Sequence, residues 1–218
     1  MEVITSGQPV GKQENKAERA EPINKKKRRL YFATKRAFDL LLALVGIVVL
    51  AIPMMIIALI IAKESEGSPI FRQQRVGKKG KTFTIFKFRT MYTYAPSDVA
   101  TNSLNIQKYT TKVGAFIRLH SIDELPQLLN VIKGDMSIVG YRPVCLTEQT
   151  LNRRRAELGI FEMKPGITGY AQVNGRDNVT AEDKAIMDLY YVENCSVLLD
   201  LRCLIKTVKV VLTKEGTK

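Results

Sequence analysis

The sequence predicts an α+β chain, mainly helical, attached to one face of a membrane. The expected monotopic fold has a Pro-kinked re-entrant N-terminal helix, a small β-hairpin and interfacial amphipathic helices. Three observations predict it. Leu40 to Ala62 is a long apolar run without a charge. Two β-prone stretches flank Gly77 to Lys81, "GKKGK". Apolar residues recur at three- and four-residue spacing within Leu125–Ile132 and Leu201–Leu212, as on one face of a helix. The expected division is a basic disordered arm over 1–30, a membrane helix-hairpin over 31–63 and a cytosolic domain over 64–218. With 218 residues the chain is long enough for one domain with a real core.

Residues 1–30 are polar and close on "NKKKRR", Asn24 to Arg29. The formal net charge of the chain, +13, suits an anionic partner: nucleic acid, a phosphate-rich substrate or a cytoplasmic membrane face. The apolar run follows. As a straight helix at ~1.5 Å per residue it reaches ~34 Å, enough to span a hydrocarbon core of ~30 Å. Two features point to re-entry instead. Pro53 lies inside the run and disrupts helical hydrogen bonding. Basic residues also flank both ends, Lys35 and Arg36 before it and Lys63, Arg72 and Arg75 after it, which asks both ends to stay on one side. A single crossing is the alternative reading.

"IFRQQRVGKKGKTFTIFKFRTM", Ile70 to Met91, reads as a hairpin. Alternation in its second strand puts Phe86 and Phe88 on one face and Lys87 and Arg89 on the other with Ile85. Two cations backed by aromatics make a phosphate cradle; a solvated basic edge strand is the alternative. Residues 92–108 are polar, with Pro96 and Asn102, and read as a loop. Gly114 is expected to break the chain before a short helical or extended piece at Ala115 to Leu119. Leu125, Leu128, Leu129 and Ile132 then form a helix face, ended by Gly134.

"SIDELPQ", Ser121 to Gln127, carries two readings. Ser121 and Glu124 match a capping box, acids suit a helix start, and Pro126 is tolerated in a first turn. The same residues also suit chemistry. Successive helical side chains point ~100° apart, so Asp123 and Glu124 divide tasks, one as nucleophile and the other toward a metal. Arg118 lies near enough to position a phosphate, and an aspartate attacking phosphorus gives an activated acyl phosphate. Magnesium would neutralise a pyrophosphate substrate.

The three cysteines, Cys145, Cys195 and Cys203, are widely spaced and suggest neither a disulfide framework nor a zinc site. His120, the only histidine, cannot anchor a histidine cluster. In "KPGITGYAQVNGR", Lys164 to Arg176, Pro165, Gly166, Gly169 and Gly175 suit tight turns that bring backbone N–H groups near a ligand. Thr180 to Asp183 reads as an N-cap that opens a helix carrying Asp188 and Tyr191. In the last segment Leu201, Leu204, Ile205, Val208, Val211 and Leu212 share a face, with Arg202, Lys206 and Lys209 to another side. That helix either packs on the core or lies at a membrane interface.

Together "KRAFDL" (Lys35 to Leu40), "FKFRTM" (Phe86 to Met91), "SIDELPQLLNVIKGDMSIVGYRP" (Ser121 to Pro143) and "KPGITGYAQVNGR" resemble the bacterial polyprenyl-phosphate sugar-1-phosphate transferases, the small monotopic initiating enzymes of capsule, exopolysaccharide and glycoprotein assembly. The likeness covers roughly 32–215. It implies transfer of a sugar-1-phosphate from a nucleoside diphosphate sugar, commonly UDP-linked, to undecaprenyl phosphate by a ping-pong route with an aspartyl-phosphosugar intermediate and magnesium. Carried onto this chain, it implies Asp123 as nucleophile, Glu124 as the metal-associated acid and Pro53 as the membrane-helix break. Lys87, Arg89, Arg118, Arg142, Arg176 and Asp188 become the expected substrate and phosphate group. It also implies the cytoplasmic face of the inner membrane and leaves a homodimer open.

The chain departs from the family's pattern at Tyr141, usually proline, at His120, often threonine, and at Ile52, where serine or alanine is common. A competing reading is a non-enzymatic membrane-surface module acting through its basic arm. Nucleic-acid binding is disfavoured, because no recognised motif is present and the charge sits beside the apolar run.

Overall fold

The computed structural model describes residues 25–96, 106–175 and 179–213. Residues 1–24 of the arm expected over 1–30, and Arg176, lie outside them. Among the described residues the chain is mainly helical, with two two-stranded sheets.

Helix α1 runs Lys25–Glu64 with Pro53 inside it, so Lys25 to Leu30 belongs to the helix rather than to the arm. Strands β1 (Ile70–Val76) and β2 (Thr82–Phe88) form the expected antiparallel hairpin, with Phe71 opposite Lys87 and Arg75 opposite Phe83. Helices α2 (Ile106–Tyr109) and α3 (Lys112–Leu119) follow, then a 3-10 turn at Ile122–Glu124 and α4 (Gln127–Lys133). Beyond them come β3 (Ser137–Val139), α5 (Gln149–Glu157), β4 (Gly166–Thr168), α6 (Tyr170–Asn174), α7 (Ala181–Asn194) and α8 (Val197–Thr213).

Three local expectations change. Gly114 lies inside α3 instead of before it, because a Cβ there would collide with the Thr90 carbonyl; the glycine lets α3 lie against the strand exit. Gly166 and Gly169 serve packing rather than a tight turn: β4 pairs in parallel with β3, and a Cβ at either glycine would meet the Gly140 backbone. The capping box at Ser121 does not form. Ser121 has φ 56°, its hydroxyl caps nothing, and α4 starts only at Gln127. Glu124 is drawn away to other partners, described below. The N-cap at Thr180 does form, as a full capping box with Asp183. Gly134 closes α4 at φ 92°.

Helix α1 joins the core towards each of its ends. Near its start, Arg36 donates to the carbonyls of Val131 (2.7 Å) and Ile132 (3.2 Å) at the C-terminal end of α4. Ala43 is fully buried with Val131 and Met136. Near its end, Ile61 packs on Phe88 and Ile117, and the Glu64 carboxylate accepts from Val113 N at 2.9 Å. Between these anchorages Val48, Val49 and Ile52 are exposed. Both ends of the apolar segment are therefore fastened to the same folded body.

A buried polar cluster joins α1 to α8 and β3. Asp200 accepts from Lys35 Nζ and Tyr31 Oη at 3.0 Å each and from Tyr191 Oη at 2.5 Å. Asp39 accepts from Ser137 Oγ (2.7 Å) and Ile138 N (3.0 Å). Helix α8 turns Asp200 and Cys203 inward and leaves Leu201, Ile205, Val208 and Leu212 exposed along one stripe.

Candidate active site

The hairpin and α4 bring the site together. Asn130, fully buried on α4, holds β2 by both ends of its amide: Oδ1 accepts from Phe86 N (3.0 Å) and Nδ2 donates to Thr84 O (2.7 Å). This clamp places Lys87 against the turn that carries the acids. Lys87 Nζ lies 2.7 Å from Glu124 Oε1 and 3.7 Å from Asp123 Oδ2. Arg142, in the turn after β3, grips Glu124 by two bonds: Nη2 to Oε1 at 2.8 Å and Nη1 to Oε2 at 3.3 Å. Glu124 thus satisfies two cations instead of the helix start. Ser121 sits in the left-handed region, at a strain on the order of 1 kcal/mol, where the chain turns from α3 into this arrangement.

The two adjacent acids are in opposite electrostatic states. Burial alone would raise the pKa of Glu124, but Arg142 and Lys87 outweigh it and hold the carboxyl well below the usual range. Asp123 is 8% exposed, and burial pushes its pKa up, with Glu124 adding to the rise against Lys87, Arg142 and Arg118. Among the described residues nothing donates a hydrogen bond to Asp123. It opens, with Lys87 and Arg118, onto a cavity of about 310 Å³ that runs along β1 to Arg75 and Tyr92. A poorly satisfied carboxylate facing a cationic cavity has the character of a nucleophile.

Behind Arg142 lies a buried pair. Arg155 donates to Asp188 Oδ2 from Nε (2.9 Å) and Nη2 (2.6 Å), and both side chains are 2% exposed. The third donor, Arg155 Nη1, bonds the Arg142 carbonyl at 2.8 Å, and the guanidinium lies 5.1 Å from the Tyr141 ring centroid. Tyr141 is buried and provides the stacking surface for Arg155.

Of the expected site residues, Asp123, Glu124, Lys87, Arg118 and Arg142 come together. Two others are placed elsewhere. Arg89 lines the cavity, but its guanidinium turns to the C-terminal end of α1, donating to the carbonyls of Ser65 (2.7 Å), Ile61 (3.3 Å) and Glu66. Free carbonyls at a helix end draw such a cation, so the expected Lys87–Arg89 cradle is divided. Asp188 is enclosed with Arg155 and supports Arg142 from behind. Sequence reading missed Arg155, because in "RRRAEL" nothing marks which arginine turns inward. His120 closes α3, with Nδ1 2.8 Å from the Phe116 carbonyl.

Among the described residues no group of three or more His, Cys, Asp or Glu side chains is placed to hold a metal. Two neighbouring carboxylates do fit magnesium when substrate phosphates supply further oxygens. Glu124 Oε2, with only the longer bond to Arg142, is its more available oxygen.

Residues 30–214 match the profile of the bacterial sugar transferase family. The chain belongs to that family. EpsL of Bacillus subtilis, described as an uncharacterized sugar transferase, is 43% identical over 183 residues, covering 84% of this chain and 89% of EpsL. The exopolysaccharide production protein ExoY of Sinorhizobium fredii is 37% identical over 200 residues, covering 84% of this chain and 88% of ExoY. The undecaprenyl-phosphate galactose phosphotransferase of Salmonella typhimurium is 38% identical over 198 residues. That alignment covers 84% of this chain but only 41% of the longer relative.

Proposed function

We propose that this phosphoglycosyl transferase moves a sugar-1-phosphate from a UDP-sugar to undecaprenyl phosphate, beginning assembly of an exopolysaccharide, capsule or other glycoconjugate. The observation that carries the reading is Asp123: a carboxylate to which none of the described residues donates a hydrogen bond, facing a cationic cavity, with its neighbour Glu124 fixed by Lys87 and Arg142.

In the first half-reaction an Asp123 oxygen attacks the phosphorus that bears the sugar. An aspartyl O–P bond forms, the bridging P–O bond breaks, and the nucleoside monophosphate leaves with the electron pair on its oxygen. In the second, a phosphate oxygen of undecaprenyl phosphate attacks the same phosphorus and the aspartyl carboxylate is released. Lys87 and Arg118 stabilise charge on the transferring phosphate. Arg142, locked by Glu124 in front and Arg155 behind, presents a fixed cation at the rim. Asp123 and Glu124 would hold magnesium, which when bound neutralises diphosphate charge.

The membrane reading is re-entrant. Arg36 and Glu64 are 28 residues apart, about 42 Å of straight helix, yet both bind the same polar body. A crossing helix would set them on opposite faces of a bilayer about 30 Å thick in its core. With both on the cytoplasmic face of the inner membrane, exposed Val48, Val49 and Ile52 enter the lipid and the α8 stripe lies at the interface. The lipid phosphate then meets a soluble sugar nucleotide at headgroup depth.

The test is release of nucleoside monophosphate from a panel of UDP-sugars, with magnesium and undecaprenyl phosphate. Release by the wild-type chain, and its loss in Asp123→Asn, is expected. No release from any donor by folded protein would reject the reading.

A further inference from the structure

Arg75 lies on the cavity wall away from the Asp123–Glu124 turn. It sits on β1, and its backbone bridges to Cys145, three residues beyond Arg142. Phe71 pairs with Lys87 and Arg75 with Phe83 across the hairpin, so Arg75, Gln73, Phe71 and Lys87 share one face. That face borders the cavity onto which Asp123 opens.

The cavity's other cations have partners in view. Lys87 is bound to Glu124, and Arg89 to the end of α1. The Arg72 guanidinium lies over the Phe86 ring, and Arg118 acts electrostatically on Asp123. Arg75 differs. Its Nη2 donates to Gln73 Oε1, but its Nε is buried with no hydrogen-bond partner. No carboxylate of the described residues lies within 4.0 Å of its guanidinium. Burial lowers its pKa, and Arg142 works in the same direction against the Cys145 thiol, Glu148 and Glu124. A partly buried guanidinium beside a second cation, with a donor left over, lacks an anion.

We propose that Arg75 binds a phosphate group of a substrate in this cavity, offering its planar fork to two phosphoryl oxygens. The inference rests on the transfer reading above, which puts two phosphate-bearing substrates at this wall: the diphosphate of the donor and the monophosphate of the lipid.

The experiment uses the full chain in detergent or nanodiscs, comparing wild type, Arg75→Gln and Arg75→Lys. Steady-state nucleotide release is measured while each substrate is varied in turn. In Arg75→Gln the KM for one phosphate substrate should rise about tenfold or more, the scale of a hydrogen bond to a charged group, with kcat little changed. Arg75→Lys, which keeps the charge and loses the fork, should recover part of it. A rise confined to UDP-sugar assigns the site to the donor, and one confined to undecaprenyl phosphate assigns it to the lipid. Unchanged KM values for both would overturn the proposal, as would a lower kcat and melting temperature with both KM values intact. If the wild type releases no nucleotide, the transfer reading fails and calorimetric titration with inorganic pyrophosphate decides about Arg75. Weaker binding by Arg75→Gln then supports the phosphate site, and equal binding rejects it.

Discussion

Two clusters in this molecule use nearly the same residues for opposite ends. Each has two carboxylates and a lysine: Asp123, Glu124 and Lys87 at the cavity, Asp39, Asp200 and Lys35 between α1 and α8. In the second cluster both acids are satisfied. Asp200 accepts from Lys35, Tyr31 and Tyr191, and Asp39 from Ser137 and Ile138. In the first, satisfaction is lopsided. Glu124 takes three bonds from Lys87 and Arg142, while Asp123 has Lys87 only at 3.7 Å. The difference shows that residue type alone does not mark a reaction centre. One acid left short of donors beside an opening does.

The comparison breaks most sharply at the two unlike aspartates. Asp123→Asn should remove at least about a thousandfold of transfer activity, as loss of a nucleophile does, while the protein stays folded. Asp200→Asn should do the reverse. It strips Lys35 of its 3.0 Å partner inside the protein, at a cost of about 3–5 kcal/mol, and lowers the melting temperature by on the order of 10 °C. The surviving folded fraction should turn over at nearly the wild-type rate. Nucleotide release and a thermal melt on both variants check this. An active Asp123→Asn, or an inactive but fully stable Asp200→Asn, would erase the distinction.

A third buried ion pair lies between these extremes. Arg155 and Asp188 are packed like the Asp200 cluster, yet they touch the active site through the Arg142 carbonyl. Arg155→Lys keeps the charge but cannot make three directed bonds at once. It should lower kcat/KM about tenfold, on the scale of one misaligned charged contact, with a modest loss of stability. If the effect passes through Arg142, it should largely vanish in an Arg142→Ala background. Full additivity of the two substitutions would show that Arg155 acts on the fold alone.

What could be read in the sequence follows the range of the forces involved. The hairpin, the close of α4 at Gly134 and the cap at Thr180 depend on residues within a few positions, and the pattern carries them. The acids at Asp123 and Glu124 were legible as candidates, but the choice between cap and chemistry was not. It is decided by Lys87 and Arg142, 37 and 18 residues from Glu124, which outcompete a local backbone N–H. Arg89 illustrates the converse: strand alternation placed it beside Lys87, and the carbonyls at the end of α1 took it away. The parallel pairing of β3 with β4 joins residues 29 apart in three-residue strands, too short to leave a periodicity.

The smallest effect separates the two adjacent acids by pH. Burial raises the pKa of Asp123 in the folded protein, so folding favours its protonated form. Its contribution to stability is present below the ordinary aspartate range and is lost as pH rises through the raised folded value. Arg142 and Lys87 depress Glu124, which therefore stabilises the fold above the ordinary glutamate range and loses that contribution as pH falls. At neutral pH, Asp123→Asn removes a carboxylate that burial disfavours and should raise the melting temperature by about 2–4 °C, the response to roughly 1 kcal/mol in a chain of this size. Glu124→Gln leaves two cations without their anion and should lower it. Melts of both variants from pH 4 to 8 read the signs directly. The Asp123→Asn advantage should fade as the pH falls and the native aspartate takes up its proton. The acid limb of kcat should lie above the ordinary aspartate range, since a nucleophilic carboxylate must be ionised. A lower melting temperature for Asp123→Asn at every pH would mean that this aspartate is held by the fold as firmly as Asp200.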